Sequence, residues 1–131
     1  MRWLVTGARG QLGSDLQRVL ADDVAAGTDE VLAVGSDALD ITDSTAVRAA
    51  MSDFVPDVVV NAAAYTAVDA AEEDELHADA INHLGAENLA RALAARPSGR
   101  LVHVSTDYVF SGDASAPYDV DDPTGPTGAY G

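Results

Sequence analysis

The sequence predicts a doubly wound α/β fold, a parallel sheet with helices on both faces, and three observations predict it. Short apolar runs alternate with longer stretches patterned at helical spacing, the order of consecutive β-α units. The runs are unbroken rather than alternating, as in Val58-Val59-Val60, which marks strands buried on both faces. Each run ends in small or polar residues, at Gly7, Gly35-Ser36, Asn61-Ala62-Ala63-Ala64 and Ser105-Thr106. In such a sheet ligands bind beyond the carboxyl ends of the strands, so four agreeing ends point to a binding crevice there.

Arg2 to Thr6 is the first expected strand. Gly7, Gly10 and Gly13 follow it at a spacing of three, which reads as a tight turn and a helix start. Glycine admits positive φ and lets a ligand approach the backbone, and the N–H groups opening a helix favour negative charge. Together they make a candidate pyrophosphate cradle, as in dinucleotide-binding βαβ units. Leu12, Leu16, Val19 and Leu20 then place one apolar face on a helix from Gln11 to Asp22. Gly27-Thr28-Asp29 is a turn, and Val31 to Val34 is a second strand, closed by Gly35-Ser36-Asp37. Asp43 or Ser44 caps a helix carrying Ala46, Val47, Ala50 and Met51.

Pro56-Asp57 leads into the third strand, Val58 to Val60. Leu76, Ala80, Ile81, Leu84, Leu89 and Leu93 support a long helix from Asp74 to Ala95, stopped by Pro97-Ser98-Gly99. Arg100 to Val104 is the fourth strand, with His103 expected in or near the core. From Ser111 onward Gly, Pro, Asp and Ser predominate, and the chain reads as loop.

Composition narrows the function. The 131 residues suffice for one domain with a core. A net charge of −15, from 22 acidic residues against seven arginines, argues against nucleic acid and anionic membranes as partners. No apolar run approaches the roughly 18 residues of a membrane span, and the start of the chain is too short in apolar residues for a signal peptide. With cysteine absent as well, the expected location is the cytoplasm. His77 and His83 stand six apart, which does not set them on one helix face as metal ligands, so no metal site is expected. The acidic run Asp69, Glu72, Glu73, Asp74, Glu75 reads as a solvated face and helix start. Ser105 and Ser111 have no neighbouring base to suggest a hydrolase.

Four blocks carry a resemblance. They are Gly7-Ala8-Arg9-Gly10-Gln11-Leu12-Gly13, Leu39-Asp40-Ile41-Thr42, Pro56 through Asp69, with Asn61-Ala62-Ala63-Ala64-Tyr65-Thr66-Ala67-Val68-Asp69 at its heart, and Val104-Ser105-Thr106-Asp107-Tyr108-Val109-Phe110. With these the sequence resembles the extended short-chain dehydrogenase/reductases, and within them the dTDP-4-dehydrorhamnose reductase family. The resemblance implies a Rossmann-type doubly wound sheet, here broken off after the fourth strand and the loop that follows. Residues 1–131 would then be the N-terminal part of an NAD(P)-binding domain, without the C-terminal portion that forms most of the substrate site.

The resemblance also implies roles. Gly7, Gly10, Gln11, Leu12 and Gly13 would hold the pyrophosphate and adjoining ribose. Asp40 and Ile41 would line the adenine pocket, although Asp40 also reads as a turn or capping residue. Ala63, Ala64, Tyr65 and Thr66 would flank the cofactor, with Tyr65 equally readable as an ordinary half-buried tyrosine. Thr106 would bond the substrate carbonyl, Asp107 would contact the sugar nucleotide, and Tyr130 would be the general acid. A phenol, with an ordinary pKa of about 10, needs a nearby cation to cycle at neutral pH. That cation is the lysine of a Y-x-x-x-K motif, which would fall at position 134, and the chain contains no lysine. The 131 residues are therefore expected to bind cofactor with little turnover.

The expected cofactor is NADPH, with NADH as the alternative. Arg9 is placed to pair with a 2′-phosphate, whereas Asp37 would prefer the free 2′-hydroxyl. The expected reaction is reduction of the 4-keto group of dTDP-4-dehydro-L-rhamnose or a similar 4-keto-6-deoxysugar nucleotide. The alternatives are an epimerase or dehydratase of the same superfamily, or a non-catalytic NAD(P)-binding subunit such as the regulatory subunit of methionine adenosyltransferase. A homodimer is compatible with each.

Overall fold

The computed structural model describes residues 1–96 and 98–131. Strands β1 (Arg2–Thr6), β2 (Glu30–Val34), β3 (Val58–Asn61) and β4 (Arg100–His103) form a parallel sheet in the order β2-β1-β3-β4. The helices are α1 (Gln11–Ala25), α2 (Ser44–Phe54), α3 (Val68–Ala71), α4 (Glu75–Asp79) and α5 (Gly85–Ala94). A π-helical segment, Ala80–Leu84, joins α4 to α5, and one 3₁₀ turn, Asp107–Val109, follows β4.

After β2 the chain recrosses β1 and lays β3 on its other side, so the strand order reverses between β1 and β3. Such a reversal opens a crevice at the carboxyl edge of the sheet. Gly7 stands in it with φ at +67°, and a Cβ there would lie 2.5 Å from the Ala62 carbonyl carbon. Glycine is required on both counts.

The unbroken apolar strands feed two cores, as the two-residue period of a strand dictates. Leu4 and Val59, paired in register, face α2 and α5 and pack with Val47, Met51, Phe54, Leu89 and Leu93. Val5, Val58 and Val60 face the other way, with Trp3, Val31, Ala33 and Leu16 of α1 against them. Each such side chain taken from water contributes roughly 1.5–3 kcal/mol. Asp43 caps α2, its carboxylate accepting from the N–H groups of Thr45 at 2.8 Å and Ala46 at 3.1 Å.

Three expectations are corrected. On α1 the inward stripe is Gly13, Leu16 and Leu20, while Val19 is 73% exposed and Leu12 48%, so the three leucines and the valine do not share one buried face. The long helix extends over Glu75–Ala94, but Leu76 is 86% exposed and Leu84 also lies outward. A π turn carries extra residue per turn and rotates everything before it relative to everything after, so one apolar face cannot run its whole length. His103 is exposed rather than packed in the core, because β4 is an edge strand and its outer residues are uncovered. The stop expected at Pro97 lies outside the described residues.

Val55 ends α2 in the left-handed region, at φ 51° and ψ 58°, while 41% exposed. That conformation costs an L-residue about 1–2 kcal/mol, and asparagine tolerates it better. Val55→Asn should therefore stabilise the protein by about 1 kcal/mol, read as a higher urea midpoint at unchanged slope.

Candidate functional site

The carboxyl ends of β1, β3 and β4 border a crevice of about 780 Å³, the size of a small-molecule site. Gly10, Gln11 and Leu12 form one wall, Asn61 to Ala64 the floor, and Ser105 and Thr106 another wall. Ala78, Asp79, Asn82 and His83 border it from the long helix, and Tyr130 closes it.

The start of α1 is built to take an anion. Its N-cap is Gly10, which offers no side-chain bond. The Gly10 N–H donates to the Gly7 carbonyl at 2.9 Å, and Ser14 N–H to the Gly10 carbonyl at 2.9 Å. Among the described residues no hydrogen bond engages the N–H groups of Gln11, Leu12 and Gly13. Three unpaired donors at the positive end of a 15-residue helix suit a pyrophosphate. Gly13 is needed because a Cβ there would strike the Gly7 carbonyl oxygen. Gln17 fastens loop to helix, its Nε2 donating to the Ala8 carbonyl at 2.8 Å and the Gly13 carbonyl at 2.9 Å.

The two side chains expected to choose the cofactor meet each other. Arg9 Nη2 pairs with Asp37 Oδ1 beside Gly35, where a Cβ would lie 2.7 Å from Arg9 Nε. Asp40 and Ile41 lie apart from the crevice. Asp40 Oδ1 accepts from the Thr42 hydroxyl at 2.8 Å and the Thr42 N–H at 2.9 Å. These bonds, the hydroxyl's first, hold its carboxyl below the usual carboxylate range. Ile41 is 5% exposed in the core, with its carbonyl taking a bond from Asn88 Nδ2 at 3.0 Å.

At the end of β3, Ala63, Ala64 and Thr66 line the crevice. Tyr65 does not. It is half-buried, meeting the His77 ring edge-on with centroids 5.3 Å apart. Its backbone is clamped by Asn82, whose Oδ1 accepts from Tyr65 N–H at 2.8 Å and whose Nδ2 donates to the Tyr65 carbonyl at 3.0 Å. Beyond β4, Thr106 Oγ1 accepts from Tyr108 N–H at 3.2 Å, capping the 3₁₀ turn. Tyr130 meets Tyr108 edge-on at 5.5 Å between centroids. Thr106 and Tyr130 therefore face one crevice, while Asp107 is exposed outside its lining.

Asn61, Asn82 and His103 are site residues that sequence reasoning did not single out. A polar residue closing an all-valine run was the available signal for Asn61. It is 1% exposed, and its Oδ1 accepts from the Thr6 hydroxyl at 2.6 Å and from Ala63 N–H at 3.2 Å. With Oδ1 so committed, Nδ2 is turned to His103 Nδ1 at 3.1 Å. An amide nitrogen only donates, so Nδ1 accepts and the neutral ring carries its proton on Nε2. Asn61→Ala strands the buried Thr6 hydroxyl and should cost about 2–3 kcal/mol in urea unfolding. Asn61→Asp presents an acceptor to His103 Nδ1 instead, and should move the proton to Nδ1, visible in the imidazole ¹⁵N shifts.

Residues 1–131 match the family model described as the RmlD substrate binding domain. A Streptomyces antibioticus protein named "Probable dTDP-4,6-dihydroxy-2-methyloxan-3-one 4-ketoreductase" is 51% identical over 131 residues, 100% of this chain and 43% of that protein. A dTDP-4-dehydrorhamnose reductase of Mycolicibacterium smegmatis is 50% identical over 99% of the chain and 38% of that protein. The chain thus spans about two-fifths of the curated relatives it matches. Among solved structures, dTDP-4-dehydrorhamnose reductase from Bacillus anthracis in complex with NADP superposes with a TM-score of 0.90 at 36% identity, over 98% of this chain and 45% of that one. With a Rossmann-type sheet, an open helix start beside it and these matches over its whole length, the chain belongs to the RmlD substrate binding domain family, that of the dTDP-4-dehydrorhamnose reductases.

Proposed function

We propose that residues 1–131 are the cofactor-holding part of an NADPH-dependent reductase of a 4-keto-6-deoxysugar nucleotide, dTDP-4-dehydro-L-rhamnose being the first candidate. One observation carries the reading: Thr106 and Tyr130 line the same crevice as the uncapped start of α1. The N–H groups of Gln11, Leu12 and Gly13 would take the pyrophosphate, and Arg9 the 2′-phosphate. Bound there, the dinucleotide supplies a hydride to a carbonyl carbon.

The chain's own part is to manage the oxygen. The Thr106 hydroxyl donates a hydrogen bond to the carbonyl oxygen, drawing electron density from the carbon. As negative charge collects on that oxygen, the Tyr130 phenol delivers a proton to it. Asn82 keeps the segment from Ala62 to Thr66 against the crevice by clamping the Tyr65 backbone. No lysine is among the 131 residues, so none of them supplies the ammonium that would steady the phenolate. The 131 residues by themselves would bind NADPH without turning over. The relatives' names supply the sugar nucleotide, one of them naming a different 4-keto substrate.

The full-length protein should consume NADPH when given a 4-keto-6-deoxysugar nucleotide, followed by the loss of cofactor absorbance. Cofactor binding without consumption would leave a non-catalytic NADP-binding protein instead. Arg9→Ala should weaken NADPH by about tenfold, the worth of one charge-assisted contact, and leave NADH nearly unchanged. Asp37→Asn releases Arg9 and removes a carboxylate facing the 2′-phosphate, so it should shift preference further toward NADPH. Equal effects on the two dissociation constants would remove Arg9 from the selection.

A further inference from the structure

We propose that Glu72 is a positioning residue for Tyr130, holding the backbone beside it so that the phenol stays turned into the crevice. The proposal rests on the reading of Tyr130 as the proton donor. Glu72 Oε1 accepts from the Ala129 N–H at 2.7 Å, across 57 residues of chain. A carboxylate on a backbone N–H is a charge-assisted bond, stronger than a neutral one. Gly128 lets it form: a Cβ there would stand 2.5 Å from Glu72 Oε1. The φ of Gly128 is not in the left-handed region, so a Cβ there would act only by pushing the Glu72 carboxylate aside.

Both ends of the tie are anchored. Glu72 follows Ala71, which is fully buried and bonded through its N–H to the Ala67 carbonyl at 2.9 Å. The far segment, residues 120–131, has no helix or strand of its own. It is held by Gly125 N–H on the Val109 carbonyl at 2.9 Å, by Glu72, and by the edge-on contact of Tyr130 with Tyr108. Of the three, only the Glu72 bond grips the backbone next to Tyr130, at the Gly128–Ala129 peptide. Without it the ring contact alone orients the phenol, and a contact between rings permits sliding that a short bond does not.

The test compares Glu72→Ala with Glu72→Gln in the full-length protein. The glutamine amide oxygen can still accept from Ala129, so this variant should keep kcat within about threefold of the parent. The alanine variant should lose about tenfold or more in kcat, since small misplacements of a reacting group carry such penalties. Its KM for NADPH should stay within about twofold, because the cofactor is gripped at α1; a merely structural role would move kcat and KM together. Retention of kcat by Glu72→Ala, or a parallel rise in KM, would overturn the proposal. If the parent itself turns over no 4-keto sugar nucleotide, the reductase reading fails and amide hydrogen exchange decides the tie separately. Faster exchange at Ala129 and Tyr130 in Glu72→Ala, with β1 unchanged, would support it, and equal exchange would overturn it.

Discussion

The crevice depends on one buried carboxamide. In a parallel sheet the strands end side by side, and nothing in the ladder itself fixes where the chains go afterwards. Asn61 settles this for three of them, bonding the Thr6 side chain on β1, the Ala63 N–H beyond β3 and the His103 ring on β4. At 1% exposure it has no water to fall back on, so its partners must all be in place together. Because the Oδ1 side is fixed by two donors, the amide cannot flip, and the order of donor and acceptor extends out to His103 at the crevice edge. A valine at this position would continue the apolar run but remove every side-chain bond between the three strand ends, leaving only the backbone bonds of Ala62 N–H to Thr6 and Val104 N–H to residue 61.

Against that fixed floor, the two helix starts near it are treated oppositely. α2 begins with Asp43 turned back on its own N–H groups, a closed arrangement that favours folding. α1 begins with a glycine and leaves three N–H groups without partners among the described residues. In a chain of net charge −15, an anionic ligand cannot be drawn in by overall charge. It must be met by local donors, and the uncapped helix supplies them where the sheet order reverses. Arg9 adds a cation in the loop before that helix, already balanced by Asp37, so any pull it has on an anion is set by how readily that pair opens.

The strands were legible because burial on both faces leaves a plain mark, an unbroken apolar run with small residues after it. Arg2–Thr6 was readable to the residue, and the α2 cap to the pair Asp43 or Ser44, of which the structure uses Asp43. Thr106 and Tyr130, which line one crevice, were singled out only through resemblance, since no periodicity distinguishes one hydroxyl from another. Ile41, which the resemblance sets in the adenine pocket together with Asp40, has its side chain in the core, a placement no pattern in the sequence announced. Glu72 was hidden for a different reason. Within an acidic run every carboxylate looks solvated, and the partner that singles it out is 57 residues away. Asn82 was hidden likewise, because its role depends on a backbone it meets only after folding.

The π segment reconciles two demands on one helix. Toward its C-terminal half, Leu89 and Leu93 must face the sheet with α2, and Gly85 must press on Ile41, where a Cβ would lie 2.6 Å from Ile41 Cδ1. Toward its N-terminal half, Ala78, Asp79 and Asn82 must face the crevice, and Asn82 must reach the Tyr65 backbone. An uninterrupted α-helix turns about 100° per residue, so fixing the core-facing half would also fix the crevice-facing half. The wider turn over Ala80–Leu84 uncouples them. It accounts for the exposure of Leu76, before the bulge, and of Leu84, within it, which keep helical spacing with the core residues on paper. What looks like a defect in the apolar pattern is thus the feature that lets one helix serve both the core and the site.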